Sequence, residues 1–443
     1  MYFHHVYPAA VSVLKQRRSR LQHALLGTPA VVSAGAPPSR NYPANLYEFR
    51  ATSHFLYLVG IPLVDAVLVL ADGRAELFVP PMAPDDPLWH GEQPGLDEIQ
   101  AVTGVDRVRV LPELPAHVAT LGPAGRLPLV AAAQRTPADE QLIEAILALR
   151  LCHDDFAVHE LRRAAAVTVR AHAAGHQAAR SGASVASVRA AMEQPILEAD
   201  FTTAYSSIVT VRGEVLHNFA RSGCCQAGEL LLADVGAESD SGWASDVTRT
   251  WPVSGQLSPS QRAMYELVLA AQKAAIATVR PGIRYRDVHR TACRVLAAGL
   301  RDEGLLTGEV DSLVERGAHA LFFPHGVGHL LGLDVHDMED FGDRAGYAPG
   351  RSRSSQFGLC YLRLDRDLAP GMAVTIEPGL YFVPAILNSE ALTAPFRDVL
   401  RRDALPRFAD VRGIRIEDDV LVTASGHEVL TAAIPKEVAD IHR

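Results

Sequence analysis

The spacing of apolar residues changes near residue 150, and this change predicts two domains. Residues 11–26 mix basic and apolar positions at helical spacing, which predicts an opening helix. Asp72-Gly73 lies between two apolar runs and predicts a β-hairpin. The short apolar runs that predict strands lie at residues 30–34, 55–59, 66–71, 75–80, 108–111 and 128–132. Residues 1–150 are therefore expected to form an α/β (α+β) domain.

Beyond residue 150, longer helical stretches alternate with apolar runs that end in polar residues. Asp154 has the chemistry of a helix N-cap and precedes a helix that is expected to reach about residue 180. His172 and His176 in that helix have the i, i+4 spacing of a metal pair, but their mostly alanine surroundings favour a solvent-facing pair. Residues 151–443 are expected to form a second mixed domain.

Charge and cysteine content argue against several classes of protein. The chain has 443 residues and a formal net charge of −9, and its one basic cluster at residues 15–20 is short, so no nucleic acid partner is expected. Five scattered cysteines without CxxC spacing indicate reduced thiols. The N-terminus has no signal-peptide pattern, and the apolar runs are too short to span a membrane. We therefore expect a cytoplasmic protein without a membrane partner.

Four carboxylates occur in runs that would otherwise form buried strands. Asp234 closes a run that contains three leucines, and Asp246 follows a tryptophan on the returning strand. Glu377 and Glu417 each end a strand-like run. Burying an unpaired carboxylate is unfavourable, so any single one of them is explained equally well by an ion pair in the core. Four together, in a domain that also contains a histidine-rich segment, indicate bound cations.

The segment 322–337 contains three histidines, three glycines and two aspartates in sixteen residues. Alone it fits a glycine-rich turn as well as a site, because glycine permits close backbone approach and histidine both binds metals and carries protons. With the four carboxylates it indicates an oxygen-rich ligand set with one imidazole, which suits Mn²⁺, with Co²⁺ or Zn²⁺ as substitutes. Two ions held by bridging carboxylates would share a hydroxide. No Gly-x-Ser-x-Gly motif occurs, so the residues predict metal-assisted hydrolysis.

Five short motifs follow one another in the second half of the chain. They are Leu-Leu-Ala-Asp-Val-Gly-Ala-Glu around Asp234, Ala-Ser-Asp-Val-Thr-Arg-Thr around Asp246, His-Gly-Val-Gly-His-Leu-Leu-Gly-Leu-Asp-Val-His-Asp from His325, Thr-Ile-Glu-Pro-Gly-Leu-Tyr around Glu377, and Gly-Ile-Arg-Ile-Glu-Asp around Glu417. In this order they resemble the aminopeptidase P and prolidase family. A looser resemblance, to the N-terminal domain of aminopeptidase P, covers residues 50–60 and the Trp-His-Gly loop at Trp89. The resemblance implies an aminopeptidase-P-like domain at 1–150 and a pita-bread metallopeptidase domain at 151–443.

The resemblance also implies an activity and the residues that perform it. It implies hydrolysis of the bond between an N-terminal residue and a following proline, with two Mn²⁺ ions. The metal ligands that it implies are Asp234, Asp246, His329, Glu377 and Glu417. Of these, Asp246 and Glu417 would bridge the ions, and Glu377 would also pass a proton to the leaving nitrogen. The substrate-site residues that it implies are His217, His325, His336 and Arg415.

Two of these substrate-site residues have more specific implied roles. His336 would stabilise the tetrahedral intermediate. Arg415 would support the ligand carboxylates or the substrate, and a plain ion pair is an equal alternative for it. The aspartates lie twelve residues apart, one more than in the family pattern, and the extra residue is expected in the turn at 238–242. The segments after Asp337 and Tyr381 are longer than is usual in the family. The route by which substrate reaches the site is therefore not predicted by the resemblance.

A Xaa-Pro aminopeptidase is the leading prediction, with proline-containing peptides as partners. A Xaa-Pro dipeptidase, that is a prolidase, is the alternative, since it would differ only in recognising the free carboxylate of a dipeptide. A non-catalytic binding protein and a metal-free creatinase-like hydrolase would both require gaps in the ligand set, and the sequence has none. The family further implies a homodimer or homotetramer, in which Trp89 would reach a neighbouring subunit.

Overall fold

A computed structural model describes residues 8–220 and 222–442, and the chain divides into two compact units. One unit comprises the chain up to Leu151 together with Asp240–Gly242, and the other comprises Cys152–Ser239 and Trp243–Arg443. Both units combine helices with strands, so the predicted α/β (α+β) class is confirmed. None of the described helices has both the length and the apolar composition needed to cross a bilayer.

A five-stranded mixed sheet forms the centre of the first unit. Its strands are β1 Ala30–Ser33, β2 Val67–Ala71, β3 Arg74–Val79, β4 Arg107–Val110 and β5 Gly125–Leu127. Their spatial order is β4-β3-β2-β1-β5, with antiparallel pairing in the middle and parallel pairing at both edges. The helices of this unit are α1 Pro8–Ala24, α2 Ser53–Val59, α3 Asp86–His90, α4 Leu96–Thr103, α5 Leu114–Val118 and α6 Pro137–Arg150.

The sequence predicted this unit well except at two apolar runs. The Asp72-Gly73 hairpin between β2 and β3 and the opening helix are confirmed. Residues 55–59, expected to form a strand, lie instead in α2, where every residue from Ser53 to Val59 is buried. A continuous run of apolar residues shows neither the helical nor the strand periodicity, so its secondary structure cannot be assigned from the pattern. The run at 128–132 is also wrong as a strand, because β5 ends at Leu127, before Pro128.

Helix pairs and short antiparallel sheets form the second unit. Its helices are α7 Asp155–Ala178, α8 Val185–Leu197, α9 Pro259–Thr278, α10 Tyr285–Asp302, α11 Val310–Arg316, α12 Asp343–Gly346, α13 Pro384–Leu387, α14 Glu390–Thr393 and α15 Val438–Ile441. Its strands are β6 Thr202–Thr203, β7 Ile208–Thr210, β8 Leu230–Asp234, β9 Ala237–Glu238, β10 Thr248–Pro252, β11 Ala373–Ile376, β12 Gly379–Tyr381, β13 Gly413–Arg415, β14 Asp418–Val422 and β15 His427–Val429.

The long helices of this unit pack in pairs, α7 with α8 and α9 with α10. Side chains cap the starts of α7, α8 and α9, and at α7 Asp154 accepts from the amide of Ala157, as expected. The strands form sheets in the orders β10-β8-β7, β11-β14-β15, β12-β13 and β6-β9, and all of these pairings are antiparallel.

His172 contradicts the expectation of a solvent-facing pair in α7. Its side chain is 1% exposed, and its Nε2 lies 3.0 Å from the carbonyl oxygen of Val235. The small alanine side chains around it allow neighbouring elements to pack closely, so they mark a buried face of the helix and not a solvated one. His176 is only partly buried. The prediction of a solvent-facing pair is therefore wrong.

Candidate active site

The hairpin of β8 and β10 carries the first two predicted ligands. Asp234 ends β8 opposite Thr248, and Asp246 lies two residues before that partner. A third acid, Asp419, holds this corner in place: it accepts hydrogen bonds from the hydroxyl of Ser245 at 2.7 Å and from the amide of Asp246 at 3.1 Å. These bonds fix the backbone from which the Asp246 carboxylate projects.

The other two acids lie at one end of a second strand pair. Glu377 follows β11 and Glu417 precedes β14, and these strands pair with Ile376 opposite Asp418. The amide of Glu417 donates to the carbonyl oxygen of Thr248 at 3.1 Å, which connects this strand pair to β10. The β-sheet register therefore brings carboxylates from distant parts of the chain to one place.

The backbone around His329 is positioned by a tight contact with β11. The amide of His329 donates to Thr375 Oγ1 at 3.1 Å, and its Nδ1 lies 3.0 Å from the carbonyl oxygen of Leu330. Gly328 has a φ of +152°, and a Cβ there would overlap the carbonyl oxygen of Thr375, so glycine is required. The His329 Nε2 is left 3.4 Å from Asp246 Oδ2 and 3.7 Å from Glu377 Oε1.

Burial and mutual repulsion shift the pKa values of these acids. Burial, with the charges of Asp246 and Asp234, raises the pKa of Glu377, while His329 and Arg415 oppose this effect, and the net value is about 7. Burial, followed by the charge of Asp246, raises the pKa of Glu417 well above its ordinary value. Burial lowers the pKa of His329, but its hydrogen bond with Asp246 and the charge of Glu377 raise it to about 9 overall. When all four carboxylates are ionised, they carry more negative charge than His329 and Arg415 balance.

The side chains present fit divalent cations. Asp246, His329 and Glu417 each offer a ligand atom, and these atoms lie within 4.8 Å of one another. Among the described residues, Glu417 Oε1 is a buried atom with no hydrogen-bond partner. A buried carboxylate oxygen without a donor requires a compensating charge, and carboxylates with an imidazole form a ligand set for borderline divalent ions. Such ions would be held by these residues together with Asp234 and Glu377.

Arg415 connects the acids to the rest of the site. Its Nη2 lies 2.5 Å from Asp234 Oδ2, its Nε donates to Thr248 Oγ1 at 2.9 Å, and its Nη1 donates to Tyr381 Oη at 3.1 Å. Thr248 Oγ1 in turn donates to Glu417 Oε2 at 2.7 Å. The guanidinium therefore orients two carboxylates, one directly and one through a threonine.

The three remaining predicted histidines differ in how they are held. Both ring nitrogens of His325 have partners, since Nδ1 lies 2.8 Å from the Gly326 carbonyl oxygen and Nε2 lies 2.9 Å from Tyr381 Oη. His336 Nδ1 lies 3.2 Å from Glu339 Oε2, and its ring centroid is 4.1 Å from that of His329. His217 is largely exposed, and the partial burial of its ring, with the charges of Arg415 and Arg363, lowers its pKa. His325 and His336 thus lie beside the acidic cluster, and His217 is near enough to Arg415 for its charge to act on the ring.

Three functional contacts were missed by the sequence analysis. Tyr205 Oη donates to Asp234 Oδ1 at 2.6 Å, and no motif identifies this tyrosine. Thr248 lies in the Asp-Val-Thr-Arg motif and Tyr381 in the Glu-Pro-Gly-Leu-Tyr motif, so their positions were visible although their contacts were not. Hydrogen bonds between residues that are distant in sequence leave no local pattern.

The comparison with protein families agrees with this geometry. Residues 159–424 match metallopeptidase family M24. The chain belongs to metallopeptidase family M24. Residues 14–126 of this M24 metallopeptidase match the N-terminal domain of aminopeptidase P, and the pairing of the two domains places the chain in the aminopeptidase P family. The predicted family and the predicted pita-bread fold are confirmed, and the chain is a metallopeptidase, a class of hydrolase.

Individual relatives of this M24 metallopeptidase match it along most of its length. A protein of Verticillium alfalfae named Probable Xaa-Pro aminopeptidase is 33% identical over 408 residues, which are 88% of this chain and 87% of the relative. The solved structure of Pseudomonas aeruginosa aminopeptidase PepP has a TM-score of 0.78, is 30% identical and covers 97% of each chain. Zn-substituted E. coli aminopeptidase P in complex with product has a TM-score of 0.76 at 28% identity, covering 96% of this chain and 97% of that one.

Proposed function

We propose that this metallopeptidase is a Xaa-Pro aminopeptidase, which removes the N-terminal residue from peptides with proline at the second position. The observation that carries the proposal is similarity across both domains to proteins named as Xaa-Pro aminopeptidases. The buried group of carboxylates and a histidine supplies the chemistry that such an activity needs. The dipeptidase alternative is not favoured by these relatives.

We propose that Asp234, Asp246, His329, Glu377 and Glu417 hold two divalent cations. One buried imidazole among four carboxylates is the set that Mn²⁺ accepts well, and Co²⁺ or Zn²⁺ would fit the same donors. When bound, such cations activate water for attack on a peptide carbonyl. The unpartnered Glu417 Oε1 supports this assignment, because a cation would satisfy it.

The residues of the chain itself would move and stabilise charge. Glu377, with a pKa raised by burial to about 7, would accept a proton from the nucleophile and return it to the leaving proline nitrogen. His336 is fixed through Nδ1 by Glu339, which leaves Nε2 for the substrate carbonyl. We assign His217 to the same substrate pocket. His325 would line it too, and exchange of its Tyr381 bond would free Nε2 for the substrate.

We propose that residues 1–150 and 151–443 are the two domains and that the chain forms a homodimer or homotetramer. Trp89 in α3 is 70% exposed, which supports its role as an anchor for a neighbouring subunit. A reducing, cytoplasmic compartment is proposed from the five cysteines, all of which have free thiols.

Turnover of matched peptides tests the activity. The Mn²⁺-loaded protein should release the first residue from a Xaa-Pro-Xaa tripeptide but not from the corresponding Xaa-Ala-Xaa tripeptide, and chelation should abolish the release. Glu417→Gln should lower kcat/KM by about 10³-fold or more, because it removes a carboxylate that would hold the cations. Cleavage of only a Xaa-Pro dipeptide would establish the prolidase instead. Failure to cleave either peptide would support a binding protein.

A further inference from the structure

A second group of side chains that can bind a metal lies in the second unit, apart from the carboxylate cluster. His289 and Cys293 are one turn apart on α10, and His319 lies in the short 3₁₀ helix Ala318–Leu321. A ring nitrogen from each histidine and Cys293 Sγ lie within 4.8 Å of one another. No residue is shared with the cluster of Asp246, which makes this a separate site.

The three side chains are buried but not fully satisfied. Their exposed fractions are 3% for His289, 1% for Cys293 and 7% for His319. Cys293 Sγ lies 3.3 Å from His289 Nε2. Within the part of the chain that the structure describes, Nδ1 of His289 and Nδ1 of His319 are buried without a hydrogen-bond partner. Two such atoms within one group of three side chains are unusual, since buried polar atoms are nearly always paired.

The protonation of the group suits a metal. Burial lowers the pKa of His289 to about 3 and that of His319 to about 4, so both rings are neutral at physiological pH. Neutral imidazole is the form that binds metal ions. Burial raises the pKa of Cys293, although the charges of Arg290 and Arg294 oppose this effect. The thiol would therefore lose its proton only in exchange for a cation.

The group also has access to solvent and to small ligands. All three residues line a cavity of about 250 Å³, whose wall further includes Asp311 and Gln356. An ion can thus reach side chains that are buried in the packed unit, and a water molecule can complete its coordination from the cavity side.

We propose that His289, Cys293 and His319 bind a single transition-metal ion of the zinc class, distinct from the proposed catalytic pair. Thiolate is a soft ligand and imidazole a borderline one, and together they favour Zn²⁺ over the hard ions that suit carboxylates. Binding exchanges the thiol proton for a bond from Cys293 Sγ to the metal, releases that proton to solvent and involves no change of oxidation state. Binding consequently strengthens as pH rises.

The ion would tie α10 to the segment that leads into the substrate site. Phe323 lies four residues after His319. Its ring centroid is 5.6 Å from that of His289 and 4.8 Å from that of His325. Because an ion that binds only the folded state stabilises it, occupancy should raise the melting temperature. The site is therefore proposed to be structural.

Titration of the complete protein with Co²⁺ tests the proposal. A thiolate ligand gives Co²⁺ a charge-transfer absorption that carboxylate and imidazole ligands do not give, and the proposed catalytic cluster contains no cysteine. The band should reach saturation at one Co²⁺ per chain beyond those bound by the carboxylates, and Zn²⁺ should displace it. It should disappear completely in Cys293→Ser and persist in Cys225→Ser, a matched change of another buried cysteine.

Two further measurements guard against a misfolded variant. His319→Gln, which keeps the thiol, should also weaken the band, and circular dichroism should show each variant folded. Zn²⁺ should raise the melting temperature of the wild type and of Cys225→Ser more than that of Cys293→Ser, while the Mn²⁺-dependent activity of Cys293→Ser persists. A folded wild type without the band at saturating Co²⁺, or a band that survives Cys293→Ser, would overturn the proposal.

Discussion

His329 and His336 lie with their ring centroids 4.1 Å apart, yet their surroundings differ, and the different roles proposed for them follow from this. His329 is 3% exposed and directs Nε2 towards Asp246 and Glu377, whereas His336 is half-buried and is held by Glu339. Charge from two carboxylates favours a cation beside His329. A ring held through a single carboxylate, with its other nitrogen available, suits contact with a substrate.

Separate substitutions should divide these two roles. His329→Ala should lose bound metal because it removes the only imidazole assigned to the ligand set. His336→Ala should retain metal and lower kcat by about 10²–10³-fold, the usual effect of removing a group that stabilises developing charge. Metal content by elemental analysis, measured beside steady-state kinetics, checks both. Equal metal loss in the two variants would refute the division.

Tyr205 contacts a proposed metal ligand without being one itself. Its hydroxyl donates to Asp234 Oδ1 at 2.6 Å, while Arg415 engages the other oxygen. Tyr205→Phe should weaken Mn²⁺ binding by about 10–100-fold, the usual effect of losing a hydrogen bond to a ligand. Isothermal titration measures this. Tyr265→Phe is the control, because that buried tyrosine donates to the Lys436 carbonyl, and its Mn²⁺ affinity should be unchanged.

At the scale of the secondary-structure elements, Asp139 joins α6 to β5. Its carboxylate accepts from the Thr136 amide at 2.8 Å in a capping box, and also from the amide and guanidinium of Arg126. Burial opposes ionisation of this group, but the hydrogen bonds from Arg126 and Thr136 hold the pKa of Asp139 well below its ordinary value. One side chain therefore satisfies donors of two neighbouring elements.

Loss of this carboxylate should be visible in both stability and its pH dependence. Asp139→Ala should lower the free energy of unfolding at pH 7 by about 2–3 kcal/mol, because it breaks the capping box and leaves donors of Thr136 and Arg126 unpaired. Because the pKa is depressed in the folded state, this contribution is present above the unfolded value of ~4 and is lost as pH falls through the folded value. Urea melts at several pH values measure it. Asp97→Ala in α4 should change stability by less than about 0.5 kcal/mol.

At the scale of the whole molecule, the proposed ligands come from parts of the chain as distant as Asp234 and Glu417. They meet only because strand pairs bring them together, and they are packed with like charges close to one another. Repulsion among buried carboxylates destabilises the folded state, and bound cations remove this repulsion. The second unit should therefore be more stable when the proposed cations are bound than when they are removed.

Metal removal tests this link. Chelation of the Mn²⁺-loaded protein should lower its melting temperature by about 5 °C, since an ion at 100 times its dissociation constant contributes ~2.7 kcal/mol. Restoring Mn²⁺ should reverse the change. Glu417→Gln should respond much less to either step, and a wild-type melting temperature indifferent to chelator would contradict the linkage. Calorimetric scans with and without Mn²⁺ provide the comparison.

Local physics explains why much of the fold was predictable. The Asp72-Gly73 hairpin and the Asp154 cap depend on neighbours within a few residues, so their sequence signals are direct. The carboxylates in apolar strands could also be recognised as a candidate site from the sequence, because burial of a charge without a partner is unfavourable. The five motifs then identified the family and every candidate ligand.

Only the tertiary structure decided what depends on contacts between distant segments. Residues 55–59 are helical and His172 is buried because these residues pack against other elements of the fold. The local sequence does not show which elements these are. The contact of Tyr205 with Asp234 and the meeting of His319 with the His289–Cys293 pair are likewise set by the fold. Short-range patterns encode short-range structure, whereas side-chain contacts across the chain arise only when the whole unit packs.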